Sequence, residues 1–187
     1  MTETTAANET AATGYRIRPA RRRELALLPA IEREAGRRFQ EILELDAVPE
    51  DLTPPEELDA AHARGLVWVA EAPGGELAGF AYGAAVDGAL HLEEVDVLPT
   101  HGRRGLGTAL VRAACRDAAA AGFAAVTLAT FRNVPWNAPW YARLGFRVVP
   151  PAELSPGLAR AFQDEARRGL PLELRVVMRL ELTPGPE

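Results

Sequence analysis

Between His91 and Thr108 the chain reads HLEEVDVLPTHGRRGLGT. A strand-like run carrying Glu93, Glu94 and Asp96 stops at Pro99, and a glycine-rich turn then feeds an alanine-rich helical stretch. Gly105 and Gly107 have no Cβ, so backbone N–H groups there can close on a bulky anion. The start of a helix adds unpaired N–H donors and partial positive charge. Arg103 and Arg104 supply countercharge, and the whole suits a pyrophosphate cradled by residues Arg103 to Thr108. Two common phosphate loops are excluded by spacing. No lysine completes a G-x-x-x-x-G-K-S/T pattern, and Gly102-Arg103-Arg104-Gly105-Leu106-Gly107 places its tight glycine pair last, unlike the G-x-G-x-x-G fingerprint. Taken alone, such a junction reads more simply as a loop that turns the chain.

The remaining reactive residue types are sparse. Glu93 and Glu94 are strand neighbours, so alternation sends them to opposite faces, one toward a cleft and the other toward a helix or solvent. Asp96 shares parity with Glu94 and reads either as a site carboxylate or as half of an ion pair. His62, His91 and His101 are scattered, Cys115 stands alone, and no set has metal-ligand spacing, so no metal is expected. His101 abuts the glycine loop and reads as a ligand contact or a solvated loop residue. Cys115 reads as a small core residue, with no base beside it to make it a nucleophile.

The elements that must position these residues follow from periodicity. Tyr15–Arg18 reads as a short strand. Residues 21–39 form an amphipathic helix through Leu25, Leu28, Ile31 and Ala35, which Pro29 starts, kinks or splits. An acidic, proline-containing loop from Glu41 leads to a short helix at Pro55–Ala63. Strands at Leu66–Glu71, Leu77–Ala85 and Ala89–Leu98, separated by Pro73-Gly74-Gly75 and Asp87-Gly88, make an antiparallel meander. A helix over Gly105–Ala121, a buried strand at Ala124–Ala129, a short helix ending at Leu144-Gly145, a strand at Phe146–Val149, a helix at Pro156–Arg168 and a long strand at Leu172–Leu182 complete the chain. Strands come first as a meander and then alternate with helices, which implies a mixed sheet with helices on its faces.

Two segments carry a family resemblance. VDVLPTHGRRGLGTALV resembles the acetyl-CoA loop of GNAT acetyltransferases, whose pattern is Q/R-x-x-G-x-G/A after a V-x-P strand end. Trp140-Tyr141-Ala142-Arg143-Leu144-Gly145-Phe146 is similar to the family's closing Y-x-x-L-G-F. The likeness covers about residues 66–149 and implies an α/β fold: a mixed, mostly antiparallel sheet of about seven strands flanked by helices. It implies N-acetylation of a primary amine by direct transfer from acetyl-CoA, a transferase activity without a metal. The Val97 backbone would bond the pantetheine arm, and the strand would splay near Val95–Val97. Tyr141 would protonate the leaving thiolate. Glu94, or Glu93, or Asp96 would take the ammonium proton. The chain departs from the pattern twice: Gly102 stands at the Q/R position, and Val134 stands where the family often has asparagine. Asn133 and Asn137 flank it, and either one could touch the coenzyme. Trp136 and Trp140 read as acceptor-pocket walls or as buried packing. The acidic stretch Glu41–Asp59 lies where the family builds its acceptor wall, and it either attracts a cationic amine or is simply solvated.

Composition bounds these readings. The 187 residues suit one domain, expected over 15–182, with a disordered tail at 1–14 and a flexible one at 183–187. Hydrophobic residues at 48% allow a real core, and a net charge of −5 argues against a general nucleic-acid role. One cysteine allows no intrachain disulfide, and the start lacks both a basic and an apolar stretch, so a cytoplasmic protein without membrane segments is expected. The last strand, LELRVVMRLEL, offers an edge for a homodimer. Two rival readings remain: a non-catalytic acyl-CoA sensor, against which the retained Tyr141 argues, and another class of nucleotide-binding module, weakened by loop spacing.

Overall fold

The computed structural model describes residues 14–43 and 53–183. The tails expected at 1–14 and 183–187, all but Gly14 and Thr183, and the part of the acidic loop at 44–52 lie outside the described residues. The chain opens with β1 (Arg16–Pro19), and the helical stretch after it divides at Pro29. A 3-10 turn spans Arg22–Leu27 and α1 (Leu28–Leu43) follows, because proline is tolerated in a first helical turn and not in an interior. The junction is pinned by buried Arg18, whose guanidinium donates to both oxygens of Glu24 at 2.8 Å and also to Glu71. The Arg18 bonds hold the Glu24 carboxyl down at about 2.

Next come α2 (Pro55–Ala63), β2 (Val67–Glu71), β3 (Leu77–Val86), β4 (Ala89–Val97) and α3 (Leu106–Ala120). The last elements are β5 (Ala125–Phe131), α4 (Ala138–Arg143), β6 (Arg147–Val148), α5 (Pro156–Arg167) and β7 (Arg175–Glu181). They build one seven-stranded sheet in the order β1-β2-β3-β4-β5-β7-β6. Every neighbouring pair is antiparallel except β4 and β5. The mixed sheet expected from the sequence is therefore present.

Register assigns the two faces. Trp68, Ala81 and Val95 are successive partners, and the Trp68 indole donates to Asp117 of α3 at 2.8 Å, so that face is covered by α3. Val67, Tyr82 and Glu94 lie on the other face, where the Tyr82 hydroxyl reaches Glu57 of α2 at 3.4 Å and α1 packs on β3 and β4. The last strand is shorter than its pattern suggested. After Pro171, Leu172–Leu174 coil into a 3-10 turn, with the Leu174 N–H returning to the Pro171 carbonyl at 3.0 Å. β7 lies inside the sheet, and β6 occupies its outer edge at Arg179 and Met178.

Candidate active site

The site grows from an irregularity in β4. Its parallel pairing with β5 covers Leu90↔Val126, His91↔Thr127 and Leu92↔Leu128 and then stops. β3 stays on β4 as far as Val97, and β7 stays on β5 as far as Phe131, so the two inner strands part while their outer partners hold them. At the parting lies a β-bulge: Gly83 opposes Leu92 and Tyr82 opposes Glu94, which leaves Glu93 as the extra residue. A bulge resets alternation. Before it the even-numbered Leu90 and Leu92 face α3, and after it the odd-numbered Val95 and Val97 do. Glu93, Glu94 and Asp96 thus share the face toward α1 and α2, which overturns the expectation of opposite faces for Glu93 and Glu94. Gly83 belongs to the same device, since a Cβ there would run into the His91 carbonyl.

The gap opens into a cavity of about 1020 Å³. One end is the loop before α3. Gly105 caps the helix at φ 76° and Arg103 sits at φ 58°, the left-handed region that glycine favours. The N–H of Ala109 already returns to the Gly105 carbonyl at 3.0 Å, while those of Leu106, Gly107 and Thr108 precede the first helical acceptor. Arg103, Gly105, Leu106, Gly107 and Thr108 line the cavity. A Cβ on Gly107 would meet the Trp140 ring edge at 3.5 Å. Arg104 is not part of this wall; its guanidinium lies 5.9 Å from the Tyr15 ring centroid. His101 is a wall residue tied down by a 2.8 Å hydrogen bond between its Nδ1 and the Tyr15 hydroxyl, so it is not simply solvated. Val97 lines the gap. Asn137 does too, donating to Thr130 Oγ1 at 2.6 Å, with its own Oδ1 buried and without a hydrogen-bond partner among the described residues. Asn133 is exposed and outside the wall.

At the centre stands Tyr141, 8% exposed, with its ring edge-on to Phe146 at 5.5 Å and tilted on Trp140 at 4.6 Å. It both packs and lines the cavity, and its hydroxyl has no hydrogen-bond partner among the described residues. Burial raises its pKa, and the charges of Glu94 and Asp96 add to the effect, so it stays protonated. Asp96, 6% exposed, is pushed up to about 7 by burial and then by Glu32. Burial, then Asp96 and Glu32, pushes Glu94 well above the carboxylate range. Burial also pushes Glu93 up to about 7. Among the described residues none of these three carboxyls has a hydrogen-bond or ion-pair partner.

The sequence reading missed part of the wall. Glu32, Arg38 and Phe39 come from α1, Tyr82 from β3 and Arg175 from β7. Their only sequence signal was a place on an otherwise ordinary amphipathic element. Trp136 and Trp140 both line the cavity; the Trp136 ring lies 5.6 Å from the Arg38 guanidinium and 6.2 Å from Phe39. The rest of the reactive inventory sits elsewhere. His91 bonds Thr127 at 2.9 Å and burial drops it to about 4. His62 donates to the Ala20 carbonyl at 3.1 Å. Burial pushes the Cys115 thiol up to about 11, the wrong direction for a nucleophile.

Solved structures share this architecture at low sequence identity. N-acetylglutamate synthase from Neisseria gonorrhoeae, complexed with coenzyme A and N-acetyl-glutamate, matches with a TM-score of 0.67 and 17% identity over 90% of this chain and 35% of its own. This chain therefore spans about a third of that protein. The ribosomal-protein-S18-alanine N-acetyltransferase from Escherichia coli matches at 0.61 and 18% identity over 92% of this chain and 97% of its own. A GNAT-family acetyltransferase from Staphylococcus aureus matches at 0.68 and 14% identity over 90% and 99%. Residues 31–146, which include the bulged strand, the glycine loop and Tyr141, match the Acetyltransferase (GNAT) family, and the chain belongs to that family.

Proposed function

We propose that this protein transfers an acetyl group from acetyl-CoA directly to the nitrogen of a primary amine. The observation that carries the reading is the parting of β4 and β5 after Leu92 and Leu128, with the open N–H groups of α3 at one end of the gap and Tyr141, Glu94 and Asp96 within it. The residues fit the coenzyme. Leu106, Gly107 and Thr108 offer unpaired amides, Arg103 brings charge, and Gly107 leaves the backbone approachable. The Val97 backbone and the Asn137 Oδ1 are the polar groups nearest in kind to what a pantetheine amide needs.

Glu94, with Asp96 beside it, accepts a proton from the acceptor's ammonium group, which frees the lone pair. The N–C bond forms at the thioester carbonyl, the C–S bond breaks, and Tyr141 gives its proton to the departing sulfur. The second proton lost from nitrogen restores the phenol, so one proton leaves per turnover. A carboxyl that burial raises is, once ionised, a stronger base than an ordinary one, because its conjugate acid is weaker. The test is a panel of amines incubated with acetyl-CoA and read by mass spectrometry. Acetylated product that disappears in Tyr141→Phe supports the reading. Tight CoA binding without product from any amine supports the sensor reading instead.

A further inference from the structure

A second, smaller cavity of about 310 Å³ adjoins the first. The two share Tyr82, Glu93, Glu165 and Arg168 as wall residues. Where β3, α2 and α5 meet, Ala60, Ala84, Ala85 and Ala161 give it an apolar strip, and charged side chains including the exposed Arg64 stand around that strip. The charges around it are mostly spent. Arg168 donates to Glu57 at 2.7 Å, Glu165 is held by Arg175 at 2.7 Å, and Asp164 pairs with Arg167. Among the described residues Glu93 is left without a hydrogen-bond or ion-pair partner, as are Glu94 and Asp96 in the larger cavity. Asp96 is more than nine-tenths buried and lines that cavity. Three carboxyls on one face, brought together by the bulge, make no ion pair among the described residues, although the charges of Arg168, Arg175 and Arg38 act on them from beyond contact distance.

We propose that the acceptor is an aliphatic diamine or longer polyamine, with its reacting ammonium at Glu94 and Asp96, its methylene stem on the alanine-lined wall and its second ammonium at Glu93. One monovalent amine would leave at least one of these carboxyls uncompensated, and a buried unpaired charge is costly. A chain of methylenes needs a wall of small apolar side chains, which the second cavity has. An acceptor bearing its own carboxylate would meet Glu93 at the distal end and be repelled. The inference rests on the acetyl-transfer reading.

Putrescine, butylamine and γ-aminobutyrate have the same carbon count and separate the possibilities. With wild type and acetyl-CoA, putrescine should exceed butylamine in kcat/KM by about 10-fold or more, and γ-aminobutyrate should be poorest; a distal ion pair is worth on the order of one decade here. Glu93→Gln should raise the KM for putrescine by about 10-fold with kcat within a few-fold, which brings it level with butylamine. Ala161→Phe, which fills the smaller cavity from α5, should have the same effect through space alone. Equal kcat/KM for putrescine and butylamine, or a preference for γ-aminobutyrate, overturns the proposal. So does an equal fall in kcat for all amines in Glu93→Gln. If no amine is acetylated, the transfer reading fails by itself, and calorimetry of putrescine against the CoA-bound protein decides this one: saturable binding weakened in Glu93→Gln supports it, and no binding overturns it.

Discussion

Tyr141 is surrounded by rings and carboxyls, and its phenol lines an open gap with no hydrogen-bond partner among the described residues. Tyr141→Phe keeps the ring contacts and removes one hydroxyl. Coenzyme affinity and melting temperature should stay nearly unchanged while kcat falls by about 10²–10⁴-fold, the usual worth of a general acid. The defect should shrink for acyl donors with a more acidic leaving thiol. Near-normal turnover in a folded variant would hand the proton to water. The carboxyls set the pH response. Asp96 titrates at about 7 and Glu94 higher than an ordinary carboxyl, so kcat/KM should rise with pH through neutrality as they ionise. Asp96→Asn should shift that rise, because one negative neighbour of Glu94 is gone; a superimposable profile would remove Asp96 from the base.

At the scale of elements, the proposed coenzyme site rests on α3 and its loop. Gly107 faces only the Trp140 ring edge, so Gly107→Val should fold, yet it puts branched bulk where the backbone must be approached. CoA affinity measured by calorimetry should drop by about 10-fold or more, the scale of one lost set of charge-assisted contacts. Unchanged affinity would sink the phosphate-cradle assignment. The two arginines separate here as well. Arg103 lines the cavity while Arg104 sits by Tyr15, so Arg103→Ala should weaken CoA more than pantetheine, and Arg104→Ala should affect both little.

For the whole molecule, burial of these carboxyls makes stability depend on pH. A carboxyl raised in the folded state binds its proton more tightly there than in the unfolded chain. Its contribution is present below the unfolded pKa and is lost as pH rises through the folded one. For Asp96 and Glu93 that window runs from the ordinary carboxylate range up to about 7. His91 acts oppositely: lowered to about 4, it contributes above its ordinary pKa and the contribution is lost as pH falls. Three carboxyls outweigh one histidine, so the unliganded protein should melt about 5 °C lower near pH 8 than near pH 5.5. Asp96→Asn should recover part of that loss near pH 8 and none near pH 5.5. Melting curves independent of pH in both proteins would contradict the burial account.

The sequence by itself determined the elements and the glycine-rich loop proposed for the coenzyme. Local periodicity marked the meander, Pro29 marked the break before α1, and the spacing of Gly105, Gly107 and Tyr141 carried the family, because each of these signals is written within a few neighbouring residues. Only the tertiary structure decided which groups meet. Alternation sent Glu93 and Glu94 apart, and a single bulge opposite Tyr82 and Gly83 brought them to one face. Pairing along LELRVVMRLEL looked continuous until the Pro171 turn took its first three residues. Asn137 reached the cavity and Asn133 did not, because α4 begins at Ala138 and aims its first turn inward. Bulges, strand parting and the contributions of α1 and β7 to the wall depend on cross-strand register and packing between segments far apart in the chain, which no local pattern records.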